Sequence, residues 1–443
     1  MSTLLWGFTS GDLKQVVSGL RARQTLFLIG KGGGADLPVR LFHEFDVDGI
    51  MAAHPVLLGG AAEPVRLSAS EAGHCYAVMQ REFYARDMEH GDLRDLLYFF
   101  EAYFAALLRQ WGVTRLVFSM IPHLGPELIL LHVARRMGVR TRMFYQSLFA
   151  ERFFDVSEPE ELGRLTGEGQ GRWPVWHERF SFGVPEQNLF YMLKLPKPEA
   201  HWRWLVRSFL GRCRKFLRGR ARDLGMLPLA ADSLERRRHA RYMANPPWQD
   251  ESVLAGRPYV YFPLHLQPEL TTDPLGGDYG DQALAIERLR AWLPPDVDIV
   301  VKENPKQYHE WRDPLFYERI RTLPGVHVID RGVNTYKLLR GSLMVATITG
   351  TAGWESLLMG RPVIVFGAAW HAGLPGAFRF SEALDYAAVR SFQADFDALR
   401  GALDQLSTHM PPGVVDMHYL PICPDYVPET NQRRLLDVLN DWR

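Results

Sequence analysis

The apolar positions of the chain cluster in short runs separated by amphipathic stretches. Residues 25–30 (TLFLIG) form a run that ends in glycines, the pattern of a buried parallel strand. A second run at 115–119 (RLVFS) precedes a helical pattern from Pro126 to Met137, and a third strand is predicted at 140–146. This alternation predicts βαβ units in the first half. From about 150 to 245 the pattern changes, with Gly, Pro and acidic residues first and a strongly basic stretch after them. Between Arg203 and Arg222 there are eight Lys or Arg and no acid, interleaved with Trp204, Leu205, Phe209, Phe216 and Leu217. That pattern fits a basic amphipathic helix or helix pair. It suits docking on anionic lipid or glycan, and equally a solvated helical face over a core.

Asn245-Pro246-Pro247 and Gly256-Arg257-Pro258 punctuate the chain, and regular alternation restarts beyond them. Strands are predicted at 259–263, 298–302, 326–329, 343–347 and 362–366. Helices are predicted at 281–292, near 313–322, and at 333–340 and 352–359. Residues 429–443 form a last amphipathic helix. The expected fold class is α/β, with two Rossmann-like doubly wound domains facing a cleft and a helical basic insertion between them. Domain one is expected over 1–245, including the basic segment 200–241. Domain two is expected over 246–428, with the terminal helix at 429–443.

Composition agrees with a two-domain globular chain: 443 residues, 47% hydrophobic and 23% charged. Fifty-one basic and 51 acidic side chains balance, so no global attraction to nucleic acid is expected. Three cysteines, at 75, 213 and 423, are too few and scattered for a disulfide framework or zinc ribbon, which points to a reducing cytosol. The N-terminus lacks a basic, then apolar, leader pattern. The apolar stretch 97–108 is interrupted by Glu101 and too short to span a bilayer. A cytoplasmic protein, soluble or peripheral on the inner face of the membrane, is the expectation.

In parallel α/β sheets ligands bind beyond the carboxyl ends of strands, so the loops there carry the candidate chemistry. His265 and Gln267 follow strand 259–263. Lys302 closes its strand, where an ammonium suits a diphosphate or carboxylate; a structural pair with Glu303 is the alternative. Thr349, Gly350, Thr351, Gly353 and Glu355 form a Gly/Thr turn running straight into a helix. Free backbone N–H groups there suit a phosphate. The glycines suit close approach of a ligand. Glu355 suits ribose hydroxyls, or alternatively a capping box. Trp370 and His371 follow the next strand and suit a base or sugar. In the first half, Gly32, Gly33 and Gly34 form a cleft glycine loop without the spacing of a P-loop or dinucleotide fingerprint. His123 and Glu127, past strand 115–119, suit a general base for an acceptor hydroxyl, although Glu127 also suits a helix N-terminus. Two DxD strings, 46–48 and 296–298, lack neighbouring oxygen ligands, and no metal is expected.

The segments YFPLHLQPE, DQALAIERL, VVKENPKQ and VATITGTAGWESLLMGRPVIVFGAAW, in that order, resemble the bacterial capsule polysaccharide biosynthesis family. That family includes β-Kdo transferases and is similar in plan to GT-B glycosyltransferases. The resemblance covers roughly residues 258–372. It implies a GT-B fold, a nucleotide-sugar donor in the second domain and a glycan or glycolipid acceptor at the first. It also implies catalysis without metal and no cofactor beyond the donor, CMP-linked Kdo or a related acidic sugar being favoured. Lys302, Thr349, Gly350, Thr351 and Glu355 carry over as donor residues. One position departs from the pattern: Asn304-Pro305 stands where related sequences usually have His-Pro. His123 or Glu127 is the expected base, with His265 and Lys302 stabilising the leaving nucleotide. Polyol-phosphate transfer of the teichoic-acid type, sugar epimerisation, and a non-catalytic glycan-binding or export subunit are the competing readings. The anionic inner-membrane surface and the export machinery are further expected partners.

Overall fold

The computed structural model describes residues 2–8, 13–31, 34–56, 65–82, 85, 88–163, 171–176, 180, 182, 206, 210, 234, 248–267, 269, 272–307, 312 and 314–441. Apart from Val206, Leu210 and Leu234, the basic segment expected at 200–241 lies outside these residues, as do Gly32 and Gly33.

Apolar runs pair into two six-stranded sheets. The first holds β1 (Ser2–Trp6), β2 (Thr25–Gly30), β3 (Leu37–Pro38), β4 (Val113–Phe118), β5 (Arg140–Gln146) and β6 (Phe153–Val156), in the order β3-β2-β1-β4-β5-β6. All pairs are parallel except β5 with β6. The second holds β7 (Tyr259–Pro263), β8 (Asp298–Lys302), β9 (Val326–Ile329), β10 (Met344–Thr347), β11 (Val363–Val365) and β12 (Ala377–Arg379). Its order is β12-β11-β10-β7-β8-β9, parallel throughout. Counted from its own first strand, each sheet has the order 3-2-1-4-5-6, so both are Rossmann-like doubly wound sheets. Strand order reverses between β1 and β4 in one sheet and between β7 and β10 in the other. A reversal sends the connections on its two sides to opposite faces, which leaves a crevice at the carboxyl ends of the two central strands.

β1 is fully buried, as is every residue of β8 and β10. β1 was not among the expected strands because its apolar run is only Leu4-Leu5-Trp6. Gly7 ends it at φ 86°, where a Cβ would collide with Ser119 just past β4.

The end of the chain returns to the first sheet. Helix Pro428–Asn440 buries Leu435, Val438 and Leu439 in one cluster with Leu5, Phe8, Leu13, Val16, Val17 and Leu20. Arg142 on β5 donates to the carbonyls of Val438 (3.1 Å) and Asp441 (2.6 Å), satisfying groups at the open carboxyl end of that helix. The preceding segment pairs with the β5–β6 turn. Phe153 N–H donates to Pro411 O (3.2 Å) and Gly413 N–H to Glu151 O (2.8 Å). The Gln146 side chain accepts from Val415 N–H (2.8 Å) and Asp416 N–H (3.2 Å).

No helix among the described residues is long and apolar enough to cross a membrane. Because the terminal helix completes the first domain's core, Leu435→Ala, at a position with 0% exposure, should lower stability by about 2–4 kcal/mol. Urea unfolding followed by the fluorescence of the first domain's tryptophans measures this. A loss below about 0.5 kcal/mol would show that the helix only rests on the surface.

Candidate active site in the interdomain cleft

His265 lies two residues past β7, and its Nε2 pairs with Thr347 Oγ1 at the end of β10 (2.7 Å). The bond therefore spans the strand reversal. The same hydroxyl accepts from Gly350 N–H (3.1 Å). From the other side His371 Nε2 donates to Gly350 O (3.2 Å). Two imidazoles thus pin the turn that leads into helix Thr351–Leu358. The glycines of that turn make room for these rings. A Cβ on Gly350 would stand 2.8 Å from His265 Nε2, and one on Gly353 would stand 2.6 Å from His371 Cε1. Burial, with the Arg312 charge, lowers the His265 pKa to about 3, and burial lowers that of His371 to about 4. Both rings are neutral near pH 7.

The loop after β7 is held from beneath by a buried ion pair. Arg312 Nη1 meets Glu303 Oε1 (2.5 Å), with side-chain exposures of 1% and 0%. Tyr317 bonds the other oxygen of Glu303. Arg312 Nη2 donates to His265 O (2.7 Å) and Gln267 Oε1 (3.2 Å). Gln267 Nε2 donates to Gly280 O (2.6 Å), so this amide braces the loop. Glu303 is therefore spoken for, and Lys302 finds other partners. Its Nζ donates to Val333 O (2.5 Å) and Thr335 Oγ1 (2.8 Å), which leaves one of its three N–H groups. Burial lowers the Lys302 pKa, opposed by Asp330. Asn304, the departure from the family pattern, accepts from Lys306 N–H (2.9 Å) and closes the turn after β8.

Thr349 is buried and Thr351 opens the helix, whose N-cap, Gly350, offers no side-chain cap. Glu355 makes no capping box, because the third helical position is Gly353; the glutamate lies two residues further on. It is 5% exposed, and Tyr336 OH donates to it at 3.4 Å. Burial raises its pKa to about 7. Trp370 is packed between the domains, with ring centroids 5.7 Å from Phe149, 6.4 Å from Phe154 and 5.1 Å from Trp354.

Across the cleft, His123 and Glu127 lie past β4, at the reversal of the first sheet. Glu127 accepts from Trp6 Nε1 (3.0 Å) and the backbone N–H groups of His123 (3.0 Å) and Leu124 (3.3 Å). His43 Nε2 and His123 Nδ1 each stand 3.4 Å from its oxygens. Burial pushes its pKa up, but the two histidines and the backbone donors outweigh that and hold it at about 2. A carboxylate so fully occupied orients its neighbour. His123 Nδ1 also faces Ile121 O (3.2 Å), while Nε2 has no partner among the described residues. Gly34 has open space where a Cβ would lie, and its carbonyl accepts from Arg21 (2.8 Å). The two loop systems meet through an ion pair between Arg81 and Asp273.

One aspartate of each DxD string has other partners. Asp46 caps helix Val47–Ala53, and Asp298 is bonded by Arg257 (2.9 Å) and His327 (3.1 Å) at the amino end of β8. Among the described residues no three His, Cys, Asp or Glu side chains could hold a metal ion.

Two Rossmann-like domains that face each other across a cleft at their strand reversals define the GT-B class. Residues 235–379, about a third of the chain, match the family model described as capsule polysaccharide biosynthesis protein. The family resemblance read from the sequence is thus shown over this stretch. No curated protein matches the chain. Among solved structures, the chain is similar to Thermosulfurimonas dismutans KpsC, beta Kdo 2,7 transferase. The identity is 12%, over 79% of this chain and 97% of that one, with a TM-score of 0.32. The beta Kdo 2,4 transferase structure of the same protein gives 11%, 67%, 79% and 0.29. The alpha,alpha-trehalose 6-phosphate synthase of Burkholderia multivorans gives 13%, 99%, 96% and 0.27.

His265 and His371 have folded-state pKa values below the ordinary 6.5. Their contribution to stability is complete above pH 6.5 and is lost as pH falls towards 4, because only the unfolded state takes up the proton. Chemical unfolding at pH 7 and 4.5 should show His371→Gln losing less stability on acidification than the parent, by about 2 kcal/mol. Equal losses would show that the His371 ring is not held neutral.

Proposed function

We propose that the protein is a metal-independent glycosyltransferase. It moves a sugar from a nucleotide donor held by the second domain onto a hydroxyl of a surface-polysaccharide acceptor held by the first. The observation that carries this reading is the pinned turn Thr347–Thr351, which leads into the amino end of helix Thr351–Leu358 at the carboxyl end of β10. Peptide dipoles and free N–H groups at such a helix end favour a phosphate. Lys302 adds a positive charge at the end of β8, one strand beyond β7, and Glu355 meets the ribose hydroxyls.

The acceptor oxygen attacks the anomeric carbon. The bond from that carbon to the phosphate oxygen breaks, and its electron pair leaves with the nucleotide. The acceptor proton passes to His123 Nε2, and Glu127 stabilises the imidazolium that forms. Charge developing on the leaving phosphate meets fixed donors instead of reorganising water. A CMP-linked donor of Kdo or a related acidic sugar is the favoured substrate, supported by the family match over 235–379. The basic residues between 203 and 222 fit an anionic membrane surface, which would bring the enzyme to a glycolipid acceptor.

Incubation with CMP-, UDP-, GDP- and CDP-linked sugars, followed by assay of free nucleotide, tests the reading. Release of CMP from CMP-Kdo is expected, and failure to bind any nucleotide would overturn it. Lys302→Ala should weaken donor binding roughly 10- to 100-fold by calorimetry, the range for losing a charged hydrogen bond. Glu355→Gln should weaken the donor yet stabilise the protein. The folded carboxyl, at about 7, holds its proton where the unfolded one, at 4.5, does not. Stability contributed by the parent carboxyl therefore falls as pH rises from 4.5 to 7. The Gln variant should gain more at pH 8 than at pH 5. Unchanged donor affinity in both variants would misplace the donor site.

A further inference from the structure

A second carboxyl stands beside the His123–Glu127 pair. Glu82 ends helix Ala69–Arg81, and its Oε1 accepts from Gly125 N–H (2.6 Å), the first N–H of helix Gly125–Arg136. The contact requires glycine at 125. A Cβ there would lie 3.0 Å from Glu82 Oε1 and collide with Met79. Glu82 Oε2 has no partner among the described residues. The position is fixed from two sides. Gly125 follows the loop at the β1/β4 reversal, and Arg81, the residue before Glu82, reaches across to Asp273 of the second domain. Glu82 therefore lies where the first domain's crevice opens towards the second.

We propose that Glu82 is an acceptor-binding residue, whose Oε2, without a partner among the described residues, hydrogen-bonds a hydroxyl oxygen of the glycan beside the one that attacks. This deepens the transferase reading and rests on it. Helix capping alone does not account for a glutamate here. A carboxylate at a helix amino end is ordinarily stabilised in its charged form. At Glu82 burial outweighs the Gly125 bond and, with the charge of Glu127, raises the pKa to about 8. The charge acting on it is that of Glu127 on the facing helix, with His123 and His43 beyond; Arg81 and His74 lie on its own helix and Asp273 across the cleft. Near pH 7 the group is a neutral carboxylic acid, with one oxygen held by the backbone and an O–H free to donate. A donor of that kind binds a sugar oxygen without adding a second negative charge beside Glu127. It also leaves proton abstraction to His123, because a protonated acid cannot serve as the base.

The test uses the full chain, the donor that releases nucleotide, and a Kdo-terminated trisaccharide as acceptor probe. Glu82→Ala should raise the acceptor KM at least 10-fold while kcat and donor affinity stay within about 3-fold. Glu82→Gln keeps a donor on that side and should restore KM. It should also abolish the rise in KM that the parent shows above pH 8. A purely structural cap would instead leave KM unchanged in both variants, or leave the alkaline rise in place in Glu82→Gln, and either result overturns the proposal. Independently of turnover, the 13C carboxyl signal of Glu82 should titrate higher with 10 mM trisaccharide present, since the neutral form binds. A titration unmoved by the glycan also overturns it. Intact donor turnover with that result would leave the transferase reading standing.

Discussion

The hydrogen bond between His265 and Thr347 ties the two central strands of the second sheet together just beyond the point where strand order reverses. Much of the cleft geometry depends on it. The connections at a reversal diverge to opposite faces, so nothing in the backbone ladder holds the loops on either side in register. A neutral, buried imidazole supplies that link, and His371 supplies a second from the far side of Gly350. Burial keeps both rings neutral, so the pins add no charge where a phosphate would sit. Arg312 then fixes His265 itself through its carbonyl, and a glutamate that is otherwise enclosed balances the guanidinium. Removing either member would leave an uncompensated buried charge, costly by several kcal/mol.

The first sheet repeats the topology with different chemistry. Its reversal carries Glu127, a carboxylate satisfied by an indole, two backbone N–H groups and two imidazoles. Glu82, close by, has a single backbone donor. One environment draws the pKa to about 2 and the other to about 8. Two carboxyls of the same type are thereby sorted into an orienting anion and a neutral acid by their number of donors. Environments that push paired titratable groups apart in this way are typical of sites that handle protons. The second domain keeps its buried imidazoles neutral and pairs Glu303 with Arg312, while the first presents an imidazole oriented by Glu127.

The doubly wound plan of the second half was legible because its strands are continuous apolar runs bounded by turn residues. The runs at 259–263, 298–302 and 326–329 match strands residue for residue. β1, β6 and β12 were not legible, being short and set in mixed sequence. Helices 90–110 and 396–408 also escaped, the first because its apolar centre was weighed only as a membrane span. The rule that ligands meet strand carboxyl ends singles out Lys302, the Gly/Thr turn and His265 as candidates, and all three stand at strand ends. The pins could not be found that way. Thr347 looks like the last residue of a strand, and only tertiary structure brings it to His265, 82 positions earlier. Arg312, Trp6, His43 and Glu82 are likewise single polar or aromatic residues with no local pattern. Their meaning comes from the partner, and the partner is distant in sequence.

Two kinds of contact hold the domains in relation. Residues 410–416 and helix Pro428–Asn440 bind the first domain through backbone hydrogen bonds to the β5–β6 turn and an apolar cluster that lacks solvent access. At the crevice, the recorded polar link is the ion pair of Arg81 with Asp273, in which the arginine side chain is 41% exposed. The aspartate of that pair is buried, its side chain 6% exposed, so the link is half-sheltered from solvent. A buried apolar cluster that runs through both sheets adds to these polar contacts, with Trp370 of the second domain packed on Phe149 and Phe154 of the first.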